Sequence, residues 1–188
     1  AELELGRNFV RRGDWPRAMT CYETALADDP GAPTVDTIPQ WLRRLETLLE
    51  IVELKLMQRD RVEDENTRAV LLGEARRHAE KLTASAPETP YAEFVAGRIA
   101  LAEERYRVAV VRLCAAAGVL GRDSVGPAFY AGLGLARLSE IGAAATFLQQ
   151  VVENPKTPGD QRLTAATELA DVLLRQHSWG RAADLIGT

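Results

Sequence analysis

The sequence predicts an all-α fold, a right-handed α-solenoid of stacked antiparallel helix hairpins with one elongated hairpin. Three observations lead to this prediction. Two strong helix formers, with 29 Ala and 24 Leu, fill 53 of the 188 positions. Only 6% of the residues are aromatic, whereas strands favour aromatic and β-branched side chains. Small residues also recur at a regular spacing that is typical of stacked helical hairpins.

The regular spacing is carried by an alanine early in the second helix of each hairpin. Ala75 and Ala109 are 34 residues apart, Ala109 and Ala144 are 35, and Ala144 and Ala182 are 38. A small residue also recurs in the first helices, where two helices must approach closely: Gly6, Gly97, Gly132 and Ala170. We therefore predict one domain of five units, at residues 1–33, 38–87, 90–121, 126–158 and 160–188. We expect this domain to be a fragment of a longer chain.

The second unit is longer than the others, because Ala18 and Ala75 are 57 residues apart. Leucines spaced by three and four predict two long antiparallel helices, at residues 39–59 and 66–85, after a linker at residues 31–39. Ile38, Ile51 and Leu54 fall outside the predicted seam and need cover from a neighbour. Two interpretations stay open: an ordinary repeat with longer helices, or a protruding hairpin used for docking or as a dimer contact.

The first unit carries a specific pattern of glycine, aromatic, alanine and proline positions: Gly6, Phe9, Trp15, Ala18, Tyr22, Ala25 and Pro30. In these positions the chain resembles the tetratricopeptide repeat (TPR) family, and the later units match the family more loosely. The resemblance covers essentially the whole chain. It implies a superhelix in which the first helices of the units line a concave surface, where members of the family bind partner peptides.

In that family, partner peptides contact first-helix positions three before the small residue and one, four and five after it. The resemblance implies a binding site on the matching residues of this chain, of which we select Arg7, Arg11, Phe94, Arg98, Phe129, Leu133, Arg137, Asp171 and Arg175. Phe94 and Phe129 are expected to be apolar pads. Arginine fills the last of these positions in three of four units, and arginine binds carboxylates in a bidentate way.

These arginines predict a protein or peptide partner of acidic character. The alternative is that these arginines solubilise the surface or pair with nearby Glu. Arg supplies 20 of the 23 basic residues of the chain, so arginines could occupy these positions by chance. We expect Arg98→Ala and Arg137→Ala each to weaken an acidic ligand by at least ~1 kcal/mol. The predicted function is a non-catalytic protein- or peptide-binding scaffold; the alternative is a regulatory or sensor region that controls an effector domain outside this fragment.

Other classes of function find little support in the sequence. It has no Walker-type loop, no His-Glu-x-x-His and no Cys-x-x-Cys, so we expect no enzyme, no cofactor and no metal. The net charge of -4 argues against a nucleic-acid partner, and no apolar run is long enough for a membrane span. Cys21 and Cys114 lie on predicted apolar helical faces, which weakly favours a reducing compartment such as the cytoplasm.

If the chain associates with itself, we expect the contact at its C-terminal end or at the long hairpin.

Overall fold

The computed structural model describes residues 1–27, 36–121, 125–176 and Ala182. These residues form nine α-helices and no strand, which confirms the all-α prediction. The helices are α1 Glu2–Arg11, α2 Trp15–Ala27, α3 Ile38–Asp60, α4 Glu65–Ser85, α5 Pro90–Ala102, α6 Tyr106–Leu120, α7 Val125–Arg137, α8 Ile141–Glu153 and α9 Gly159–Arg175. Pro30, Trp179 and residues 31–35 of the predicted linker lie outside the described residues.

The chain divides into two compact units, with the boundary between Val95 and Ala96 inside α5. In the first unit α1 packs against α2, α2 against α3, and α3 against α4. In the second unit α6 packs against α7, α7 against α8, and α8 against α9. Within each unit, these consecutive helices are therefore neighbours in space, as expected for stacked helical hairpins. The five repeat boundaries within one domain remain a prediction.

In three hairpins, a large side chain of the second helix packs onto a glycine of the first helix. In the first hairpin, a methyl group at Gly6 would overlap the ring of Tyr22, which is fully buried. Equivalent approaches join Gly97 to Leu113 and Gly132 to Leu148. The alanines that set the sequence period are fully buried on the second helices: Ala18, Ala75, Ala109 and Ala144. The prediction that these small residues serve close helix packing is confirmed.

The elongated hairpin consists of α3 and α4, whose ends lie within one residue of the predicted ends. Pro39 lies in the first turn of α3, where its missing N–H removes no helical hydrogen bond. Asp64 caps α4, because its Oδ2 accepts a hydrogen bond of 2.7 Å from the Thr67 backbone N–H. These local signals explain why the sequence located this hairpin accurately.

Two of the three apolar residues that needed cover on the long hairpin are covered by the first hairpin. Ile51 and Leu54 are buried in one core cluster with Leu3 of α1 and with Ala18 and Tyr22 of α2. The need of Ile51 and Leu54 for cover is therefore met within the first unit, without a docking partner. Ile38, at the start of α3, remains 44% exposed.

His78 lies half-buried on α4, and its Nδ1 has no hydrogen-bond partner among the described residues. Burial lowers the pKa of His78, and the positive charges of Lys81, Lys55 and Arg77 lower it further, while Glu74 opposes them. The folded chain therefore holds this imidazole in its neutral form more strongly than the unfolded chain does.

We expect opposite effects from alanine at two helical glycines. Gly6→Ala should destabilise the first hairpin, because the new methyl group would overlap Tyr22. Gly73→Ala should stabilise α4 by up to ~1 kcal/mol, since nothing lies within 4 Å of the new methyl group and alanine favours the helix. Urea unfolding followed by circular dichroism measures both. Equal effects of the two substitutions would contradict the proposed packing.

We also expect a pH dependence that comes from His78. Because its pKa is lowered in the folded state, the unfolded state binds more protons as the pH falls through the ordinary value of 6.5. The free energy of unfolding should therefore decrease from pH 7.5 to pH 5.5, and His78→Gln should remove this part of the decrease. Urea titrations at several pH values test this, and a variant that keeps the whole wild-type slope would argue against it.

Candidate partner-binding face

The predicted binding residues lie on α1, α5, α7 and α9, and they differ strongly in exposure. Arg11, Arg137, Asp171 and Arg175 are exposed, while Arg7 and Leu133 are half-buried. Phe94, Arg98 and Phe129 are buried. Arg7, Arg11 and Phe94 belong to the first unit, and the others belong to the second. The structure thus separates residues that can meet a ligand from residues that hold helices together.

Arg7 joins α1 to α3 through a cluster of carboxylates. Its Nε donates to Glu50 Oε1 at 2.7 Å, its Nη1 donates to Glu4 Oε1 at 2.6 Å, and its Nη2 lies 3.7 Å from Glu46 Oε2. Burial raises the pKa of Glu50, and the hydrogen bond and charge of Arg7 oppose that rise. Three carboxylates of the first unit therefore already surround the charge of Arg7.

Arg11 lies one turn after Arg7 on the same helix but has a different environment. Its side chain is exposed, and its Nη2 donates to Asn8 Oδ1 within α1. No ion pair of Arg11 occurs among the residues that the structure describes. Of the two predicted arginines on α1, Arg11 is thus the one that can offer its charge to a ligand.

Arg98 is packed between α5 and α7 in the second unit. The residue is only 5% exposed, and its Cζ lies 3.4 Å from the centroid of the Tyr130 ring. Tyr130 in turn meets Phe129 edge-on, with 5.0 Å between the ring centroids. A desolvated cation over an aromatic face is a stabilising contact. Tyr130 was not selected from the sequence. Its position next to Phe129 and two residues before Gly132 was a signal that could have identified it.

The structure buries both phenylalanines that the sequence predicts as apolar pads. Phe94 is 7% exposed, and Phe129 is 5% exposed. Phe129 belongs to the core cluster of the second unit, with Leu135 and Leu148 among its members. Burying aromatic surface in the core is more favourable than leaving it in water. Apolar surface on this face comes instead from Leu133, which is half-buried, and from Leu174, which is 36% exposed.

Two exposed arginines, Arg137 and Arg175, lie in the last turns of α7 and α9, and Arg175 bonds to residues close to Arg137 in the sequence. Arg175 Nη2 donates to Ser139 Oγ at 3.1 Å, and Arg175 Nη1 donates to the Ala136 carbonyl at 3.4 Å. These two acceptors flank Arg137, for which the described part of the chain shows no ion pair. Asp171 Oδ2 lies 3.9 Å from Arg175 Nη1. We call Leu133, Arg137, Asp171, Leu174 and Arg175 the basic face of the second unit.

Two kinds of feature are absent from the described residues. Among the described residues, no group of three or more His, Cys, Asp or Glu side chains could hold a metal ion. Within the same part of the chain, no helix has the length and apolar character that crossing a membrane requires.

Several solved structures share this architecture at low sequence identity. PilF of Pseudomonas aeruginosa has a TM-score of 0.63 and 18% identity over 98% of this chain and 71% of that chain. MamA has a TM-score of 0.55 and 16% identity over 99% of this chain and 86% of that chain. TTC0263, a thermophilic TPR protein in Thermus thermophilus, has a TM-score of 0.54 and 16% identity over 89% of this chain and 97% of that chain. No protein-family model and no curated protein sequence matches the chain.

We expect Arg7→Ala and Arg11→Ala to differ in their effect on stability. Removing Arg7 leaves Glu4, Glu46 and Glu50 facing one another without their cation, so the free energy of unfolding should fall by ~1 kcal/mol or more. Arg11 is exposed on the same helix, and its removal should change stability by less than ~0.5 kcal/mol. Urea unfolding of both variants provides the measurement, and equal values would rule out the bridging role of Arg7.

Proposed function

Because the chain has a TPR-like helical repeat fold, we propose that it is a non-catalytic scaffold that binds a protein or peptide on its first helices. Within the second unit, we propose that the bound segment is acidic and contacts the basic face. The observation that supports this choice is that Arg175, at the end of α9, donates hydrogen bonds to Ala136 and Ser139, which flank the exposed Arg137 in the sequence at the end of α7. Within the second unit, the proposed site keeps the predicted residues that are not buried, which are Leu133, Arg137, Asp171 and Arg175, and adds Leu174.

Each residue of the basic face has a distinct part in the proposed binding. Arg137 is exposed and can approach a carboxylate with two parallel N–H groups. Arg175 is held in place by Ser139 and the Ala136 carbonyl, so less side-chain freedom is lost when it binds. Leu133 and Leu174 offer apolar contacts beside the charges. Asp171 competes with a ligand carboxylate for Arg175.

A direct test uses a fluorescein-labelled dodecapeptide in which Glu and Leu alternate, together with the same peptide carrying Gln in place of Glu. Fluorescence anisotropy at physiological salt should show tighter binding of the Glu peptide. Arg137→Ala and Arg175→Ala should each weaken it about fivefold, or ~1 kcal/mol, because each removes a charge-assisted hydrogen bond. Asp171→Asn should strengthen binding, since it removes the competing carboxylate.

The matched control is Arg77→Ala, which removes an exposed arginine from α4. Its affinity for the Glu peptide should equal that of the wild type. A comparable loss in Arg77→Ala would mean that the peptide senses only the overall charge. Unchanged affinity in both Arg137→Ala and Arg175→Ala would exclude the basic face as the binding site.

A further inference from the structure

Helix α6 has an exposed apolar face that the packing of the second unit does not explain. Surface helices ordinarily turn polar side chains towards water, whereas a helix that is apolar on all sides is normally buried. The buried side of α6 is formed by Ala109, Leu113 and Ala116. On the outer side Val108 is 45% exposed, Val111 is 68% exposed and Val119 is 73% exposed. With the exposed Ala115 between them, these valines form what we call the valine stripe.

The valine stripe borders a cavity of about 660 Å³ within the second unit. Its lining includes Cys114, Ala117 and Gly118 of α6, Val125 of α7, and Phe147 and Val151 of α8. The C-terminal halves of α6 and α8 line it together with the first turns of α7, so α6 and α8 run in the same direction with a groove between them. We call this the α6/α8 groove.

Small residues keep the α6/α8 groove open. Gly118 lies in a helix interior, yet nothing lies within 4 Å of the position its Cβ would take. A glycine at such a position destabilises a helix relative to other residues, and no close contact within the described residues requires it here. The groove is thus a recess wide enough to accept side chains from outside. Most of its surface is apolar, and Gln150, Glu153, Asn154 and Lys156 also line it.

The charged residues of α6 are both positive, and both lie in its N-terminal half. From Tyr106 to Gly121 the chain contains Arg107 and Arg112 and no acidic residue. Arg107 is exposed, and it precedes Val111 by four residues and Cys114 by seven, so it lies on the groove side at the N-terminal end of α6. The helix dipole adds partial positive charge at the same end.

We propose that the α6/α8 groove binds an amphipathic helix of a partner protein, with apolar residues in the cavity and acidic residues beside Arg107. This surface is formed by second helices, so it differs from the basic face on the first helices. A groove between two helices accepts a third helix through apolar side chains spaced by three and four. The 15 residues of α6 offer a length of ~22 Å, enough for about four turns of a partner helix.

The same features disfavour other occupants. If α6 packed against α6 of a second copy, neither helix would bring an acidic residue to the contact, so the charge of Arg107 would gain no counterpart from α6 of the other copy. A lipid bilayer would cover the valine stripe but would leave the recess at Gly118 and Cys114 unfilled. An acidic amphipathic helix matches both the charge and the shape.

The test begins with a phage-displayed library of random eighteen-residue peptides, selected on the immobilised chain and depleted on the Gly118→Leu variant. Selected peptides should share apolar residues spaced by three and four together with Asp or Glu. A synthetic consensus peptide should bind the wild type at least ten times more tightly than it binds Gly118→Leu or the double variant Val111→Ala/Val119→Ala. It should not compete with the Glu-Leu dodecapeptide.

Both groove variants should keep the fold, so lost binding cannot be attributed to unfolding. In the Gly118→Leu variant the new side chain would occupy the recess and replace a helical glycine, so the melting temperature should rise while the affinity falls. The exposed valines of the second variant make few packing contacts, and alanine favours the helix. The bound peptide should also protect Cys114, which lines the cavity, from N-ethylmaleimide; the other cysteine, Cys21, is buried.

A charge exchange tests the acidic character of the partner. Arg107→Glu should weaken the consensus peptide at least tenfold, and a peptide with Lys in place of its acidic residues should bind this variant more tightly than it binds the wild type. Arg77→Glu on α4 is the matched control and should leave binding unchanged. A selection without groove-dependent clones would overturn the proposal. Self-association of the chain that Val111→Ala/Val119→Ala abolishes would also overturn it. Binding of the chain to anionic phospholipid vesicles that the same variant abolishes would do so as well.

Discussion

The architecture depends on the close approach of the two helices in three of the hairpins, α1/α2, α5/α6 and α7/α8. Gly6 faces Tyr22, Gly97 faces Leu113 and Gly132 faces Leu148, and each glycine leaves the space that the large side chain fills. Because these contacts fix the distance and rotation of the two helices, they also determine which residues of each first helix point away from the core. The candidate binding residues have their exposure for this reason.

Arginines that look equivalent in the sequence have different tasks in the folded chain. Arg7 is surrounded by Glu4, Glu46 and Glu50 and holds α1 to α3. Arg98 is buried over the ring of Tyr130. A guanidinium that is buried, or whose charge is already paired with carboxylates, has little capacity to bind a ligand. Such arginines stabilise the packing of the helices instead. The basic face therefore depends on the arginines that remain at the surface.

The second unit carries two surfaces of different chemistry. The basic face lies at the ends of first helices and offers separate charges with small apolar contacts. The α6/α8 groove lies mainly on second helices and offers a mostly apolar recess, with the positive charge of Arg107 at the N-terminal end of α6. An extended acidic segment suits the first surface, and an amphipathic helix suits the second. The two surfaces would allow one scaffold to hold two partners at once.

The sequence by itself determined the helices, the hairpins and the elongated pair, because helix periodicity, caps and small residues act over a few turns of one chain segment. The cap at Asp64 and the leucine spacing of α3 are examples. Only the tertiary structure decided which candidate residues stay exposed. Arg7 and Glu50 are 43 residues apart in sequence, and whether they meet depends on how two hairpins pack. The burial of Phe129 and the groove beside Gly118 arise in the same way, since both are made by several helices together.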